Sequence, residues 1–220
     1  MIPLGDASRR PRHFPITTFL IILVNAGMFL AELSKGDPFI IQWSLIPAHI
    51  VAGRDLITIF TSMFMHAGWV HILGNMLFFW VFAPQLEDVM GPVRFLIFYL
   101  LAGIAATIAQ VYVDPSSVVP NLGASGAIAG VMGAFLVTFP RDRIRTILFL
   151  GIFVDITAMP AVLLVGIWFL IQLVSEVGAV SQVGTDGVAY MAHIGGFIFG
   201  LMANRLFETS QRRWQQGLGD

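Results

Sequence analysis

Apolar residues in this chain gather into six stretches, separated by short clusters that hold most of the charged side chains. They run from Ile16 to Leu33, Val70 to Ala83, Phe95 to Val113, Ser125 to Phe139, Pro160 to Val177 and Val188 to Leu206. A helix needs about 20 mostly apolar residues to cross the hydrocarbon core of a bilayer, so the pattern predicts six membrane spans. The second and fourth are short. Short spans bounded by apolar loops predict helices that begin below the membrane surface, where protein or a water-filled cavity satisfies the loop backbone. Two connections are more than turns. The segment from Ser34 to Trp69 is rich in apolar side chains such as Phe39, Ile40, Ile41 and Trp43, which predicts an external loop lying in the membrane interface. Between Arg145 and Pro160, the run TILFLGIFVDITAM is too short to span and is interrupted by Asp155, so it reads as interfacial or as an extension of the fifth span. No internal repeat or low-complexity segment is apparent. The expectation is an all-α membrane domain over residues 16–206, between an N-terminal segment at 1–15 and a C-terminal tail at 207–220.

Composition narrows this further. Hydrophobic residues make up 57% of the sequence and charged residues 11%. With a mean hydropathy of +0.83, lipid is the expected solvent. A net charge of −1 excludes an extended basic face for nucleic acid. With no cysteine, disulfides, thiolate chemistry and Cys-based metal sites are also excluded. Basic residues mark the cytoplasmic side of a membrane protein. Placing the N-terminus there puts Arg9, Arg10, Arg12, Arg94, Arg141, Arg143, Arg145, Arg205, Arg212 and Arg213 inside, and leaves only Lys35 and Arg54 outside. Both termini are then cytoplasmic, as an even number of spans requires. The short basic N-terminus shows neither a clear cleavage site nor a transit peptide, which favours a bacterial plasma membrane.

Polar side chains inside spans are costly and face the bundle interior, so each is a candidate for function. Here they are His71 and Asn75 of the second span, with His66 at its loop end, Ser125 at the start of the fourth and His193 in the sixth. Two readings are open for Ser125. Gly126 and Gly130 form a small-xxx-small pair suited to helix packing, but a serine at a helix N-terminus beside glycines also suits a nucleophile facing unpaired N–H groups. For His193, either a bond to a neighbouring carbonyl or a catalytic role is possible. Gly196 and Gly200 follow it on one helical stripe, and the fourth span offers matching small residues, which leans the histidine toward Ser125. Ser125 lies 16 residues before Arg141 and His193 lies 12 before Arg205, about 24 and 18 Å of helix, a height difference near one turn. His71 and Asn75, four residues apart, share a face and suit paired donors to an oxyanion. Zinc on His66, His71 and His193 is disfavoured, since no carboxylate supports the set; neither metal nor cofactor is expected.

Taken together, these residues resemble the signature of the rhomboid intramembrane proteases, over about Ser44 to Gly200. The matching runs are His66-Ala-Gly-Trp-Val-His71-Ile-Leu-Gly-Asn75, Gly123-Ala-Ser125-Gly126 and Ala192-His193-Ile-Gly195-Gly196-Phe-Ile-Phe-Gly200. Glu87 and Gly91 resemble conserved-type positions of the family's loop after span two, with an expected structural role. The resemblance implies a six-helix rhomboid-like bundle around a water-filled cavity, and a Ser125–His193 dyad without an acidic third member. It further implies an oxyanion held by the Ser125 amide, His71 and Asn75, and membrane-protein substrates cut within their transmembrane helices. This chain departs from the family at two places. Ile57 and Thr58 stand where many members have Trp-Arg, and Ala129 stands where some have a tyrosine stacked on the catalytic histidine. Two other classes compete: a catalytically silent rhomboid-like protein that binds membrane clients, and a small transporter relaying protons through His193 and Glu176. The latter is disfavoured by the lack of two similar halves.

Overall fold

The computed structural model describes residues 1–150, 153–180, 190–215 and 217. Val188 and Ala189, at the start of the sixth predicted span, lie outside them, as does the side chain of Glu176. The elements in order are β1 (Ile2–Asp6), α1 (Ile16–Lys35), α2 (Asp37–Trp43), α3 (Pro47–Val51), α4 (Thr58–Thr61), α5 (Trp69–Met90), α6 (Pro92–Val113), α7 (Ser125–Thr138), β2 (Arg143–Leu150), β3 (Phe153–Pro160), α8 (Ala161–Val180), α9 (Tyr190–Phe207) and α10 (Ser210–Gln215). Each of the six apolar stretches lies on a helix. Among the described residues α1, α5 and α6 are long and apolar enough to cross a membrane, which makes this a multi-pass integral membrane protein.

At the centre stands α7, buried on nearly every side from Gly126 to Phe135. Its 14 residues suffice because protein, not lipid, surrounds it. Against it packs α9, backbone to backbone: a Cβ added at Gly200 would overlap the Gly130 carbonyl, and one at Gly196 would overlap that of Gly126. The small-residue stripes expected on these two helices therefore face each other.

Helix α5 continues past Ala83, where the polarity of Gln85, Glu87 and Asp88 ended the predicted span, and runs to Met90. Those polar residues are buried in protein. Glu87 thus lies inside a helix, not in a loop. Its carboxylate accepts hydrogen bonds from the amides of Thr17 and Thr18 and from the Thr18 hydroxyl, each at 2.8 Å, and so caps the first turn of α1. Gly91, at φ +84°, then reverses the chain into Pro92, the first residue of α6.

The all-α expectation needs one correction. Residues 143–150 and 153–160 pair as antiparallel strands, which β1 extends to a three-stranded sheet in the order β1-β2-β3. In β2 the exposed Arg143 and Arg145 alternate with the buried Ile144 and Thr146, a period of two. The uniformly apolar run after Thr146 hides that period from the sequence. The segment before α5 is a string of short helices with exposed Ile41, Val51, Leu56, Ile57 and Phe60, tied to the bundle by a Leu45–Asn121 bridge.

Candidate active site

Ser125 is the first residue of α7, so the amides of Ser125, Gly126 and Ala127 have no partner within the helix and open onto the site. The chain enters through Gly123 at φ +142°, a conformation that favours glycine. Space demands glycine there as well. A Cβ on Gly123 would lie 3.0 Å from Cε1 and Nε2 of His71 and 3.4 Å from the Ser125 hydroxyl. The Cε1–Nε2 edge of His71 therefore faces Gly123, two residues before the serine.

From α9, His193 Nε2 comes within 2.6 Å of Ser125 Oγ. Gly126 meets Gly196 and Gly130 meets Gly200, a register that levels His193 with the start of α7 and removes the one-turn offset that counting back from Arg141 and Arg205 gave. The imidazole is flanked by Trp168 of α8, with ring centroids 5.8 Å apart, and by Tyr190 at 6.5 Å. Trp168 also meets Phe197, on which Phe169 stacks at 4.3 Å. One turn after Ser125, Ala129 is fully buried and brings no ring. At the start of α9, the amide of Ala192 donates to the Gln110 carboxamide of α6 at 3.3 Å.

The second-span residues converge on the same place. His71 Nδ1 accepts a hydrogen bond from the Ala67 amide at 3.3 Å, which leaves the proton on Nε2. Asn75 is buried one turn further along α5, and its Nδ2 has no partner among the described residues. His66 precedes the helix, with its ring 5.1 Å from that of His71. Burial, with the His71 ring as the smaller cause, pushes the His66 imidazole down to about 4, so it is uncharged at neutral pH. Both of its ring nitrogens lack a partner among the described residues. Beside Ser125 lies a pocket of about 40 Å³ whose lining includes Ser62, Thr107, Gln110 and Asn121.

Of the residues singled out from sequence, Ser125, His193, His71, Gly123 and His66 come together, Asn75 lies buried one turn along α5 from His71, and Gly126, Gly196 and Gly200 form the helix contact beneath them. Two neighbours were missed. Trp168 looks like any lipid-facing aromatic until α8 is docked. Glu32 was legible in principle, as a lone carboxylate inside an apolar stretch.

The fold and site thus define a multi-pass membrane protein with a serine hydroxyl hydrogen-bonded to a histidine inside the bundle. Residues 53–208 match the Rhomboid domain family, and the chain belongs to that family. It is 32% identical over 139 residues to YdcA, a rhomboid of Bacillus subtilis, covering 57% of this chain and 63% of that protein. Rhomboid protease GluP of the same organism is 29% identical over 86% of this chain and 34% of its own length. Rhomboid protein 1, mitochondrial, of Saccharomyces cerevisiae is 28% identical over 91% of this chain and 57% of its own. The chain therefore spans between a third and two thirds of the length of these relatives.

Proposed function

We propose that this protein is an intramembrane serine endopeptidase that cleaves transmembrane helices of other membrane proteins, built on six spans with both termini in the cytoplasm of a bacterial cell. The 2.6 Å approach of His193 Nε2 to Ser125 Oγ carries the reading. A neutral His193 takes the hydroxyl proton as Ser125 Oγ attacks the scissile carbonyl carbon. The oxyanion that forms is met by the Ser125 amide, His71 Nε2–H and Asn75 Nδ2–H. The imidazolium then gives its proton to the leaving amine as the C–N bond breaks. A water, activated by His193 in turn, hydrolyses the acyl-enzyme; the pocket beside Ser125, mostly apolar but lined also by Gln110 and Asn121, has room for it. The ring contacts of Trp168 hold the imidazole in place where the family tyrosine is absent.

Labelling with a fluorophosphonate tests this without a known substrate. The wild type should label at Ser125, while Ser125→Ala and His193→Ala should neither label nor cleave a transmembrane substrate. An unlabelled, folded wild type would favour the client-binding reading instead. For topology, a cysteine at Lys35 should react with an external impermeant thiol reagent and one at Arg143 should not.

A further inference from the structure

Glu32 is a buried ionisable group that this mechanism leaves without a task. It lies in the last turn of α1, 2% exposed, on a helix apolar enough to cross a membrane. A carboxylate in such a place is costly. At the other end of α1, Glu87 has an evident use as a cap, but Glu32 caps nothing. Both of its oxygens instead face one donor, the His66 amide, at 3.0 and 3.2 Å.

The consequence runs along the backbone. Helix α5 begins at Trp69 after Gly68, with no side chain capping its N-terminus. Glu32 supplies the fixed point from α1. One residue after the tethered His66, the Ala67 amide donates to His71 Nδ1 at 3.3 Å. An imidazole that accepts at Nδ1 carries its hydrogen on Nε2, and Nε2 lies on the ring edge that faces Gly123, two residues before Ser125. The Ile57-Thr58 pair offers this region no charged anchor of its own.

We propose that Glu32 is a positioning residue, acting through the His66 and Ala67 amides to hold His71 as the Nε2–H tautomer aimed at the space over Ser125. This rests on the reading of His71 as an oxyanion donor.

The test is a variant set in the full-length protein, reconstituted in lipid, with two readouts. Glu32→Leu should lower kcat on the order of tenfold with KM within about twofold, a fraction of what losing an oxyanion donor outright costs. Glu32→Gln keeps an oxygen on the His66 amide and should stay near wild type. In a His71→Ala background, Glu32→Leu should cost nothing further, whereas a role in stability alone would cost the same in both backgrounds. The second readout is the ¹⁵N spectrum of labelled histidine. His71 should be a neutral Nε2–H imidazole in wild type and Glu32→Gln, and lose that state in Glu32→Leu. Ala67→Pro deletes the donating amide without touching α1 and should reproduce the spectral change, which covers the case of a Glu32→Leu chain that does not fold. An unchanged His71 tautomer in Glu32→Leu or Ala67→Pro overturns the proposal. A changed tautomer with normal turnover in His71→Ala would leave the relay standing and remove His71 from the mechanism.

Discussion

The two halves of the site are built by different means. Ser125 and His193 are brought together by α7 and α9 meeting backbone to backbone, where glycines remove everything between the helices. His71 and Asn75 sit on the end of α5 that has no cap, and the turn before it is tied by the His66 amide donating to Glu32 and the Ala67 amide donating to His71 Nδ1. A packed helix pair is stiff because any displacement overlaps atoms, whereas a tethered helix end moves when one bond is lost. The first half should therefore fail through bulk and the second through loss of polar partners.

The strongest way to break this contrast is to add volume to the stiff half. Gly200→Ala places a methyl group against Gly130 backbone atoms, which cannot rotate away. Overpacking of this kind costs about 1–3 kcal/mol, and an ångström of displacement at the dyad costs about a hundredfold in rate. Melting temperature and kcat should fall together. The matched control is Gly27→Ala on α1, where a new Cβ meets nothing within 4 Å and both quantities should hold.

Next in size is removal of a donor from the tethered half. His71→Ala and Asn75→Ala should each lower kcat about 10²- to 10³-fold with KM little changed, as loss of one oxyanion donor does. A variant that loses thermal stability but keeps its kcat would remove that residue from the site and leave it a helix bridge worth about 1 kcal/mol.

Trp168 tests whether the stiff half has a weaker flank. The ring is held by α8 rather than by the α7–α9 contact, so Trp168→Leu should slow fluorophosphonate labelling about tenfold, while Trp168→Phe, which keeps an aromatic face, should stay within about threefold. Equal labelling by all three proteins would show that the glycine-packed pair orients its histidine unaided.

The smallest effect lies outside both halves, in the sheet. Burial raises the Asp6 carboxyl from its ordinary range to about 6, and the nearby Asp142 pushes the same way, against the hydrogen bonds from the Ser8 and Arg9 amides. A group raised in the folded state contributes its stability below its unfolded value and loses it as the pH rises through about 6. Asp6→Asn should thus raise the melting temperature by about 2–4 °C at pH 7.5 and have little effect near pH 4, with kcat unchanged at both. A shift of the same size at both pH values would show that burial does not perturb the carboxyl.

Much of the molecule was legible in the sequence, because its signals are local. An uninterrupted apolar stretch is sufficient reason for a helix in lipid, and α1, α6, α7 and α9 fall where those stretches predicted. Spacing placed Gly196 and Gly200 on one stripe with His193, and His71 with Asn75 on one face, since a helix fixes those relations wherever it packs. The tertiary structure decided what depends on partners far apart in the chain. The pairing of β2 with β3 is visible only once β1 pairs with β2 and the end of the bundle buries Ile144 and Thr146. The polar end of α5 became helix because Glu87 and Asp88 meet α1 and the segment before it, 70 and 75 residues earlier in the chain. Glu32 and Trp168 acquired their places only when α1 and α8 came to rest beside His66 and His193. Hydrophobic periodicity records which face of a segment turns inward. It carries no record of which distant donor, acceptor or ring will be waiting there.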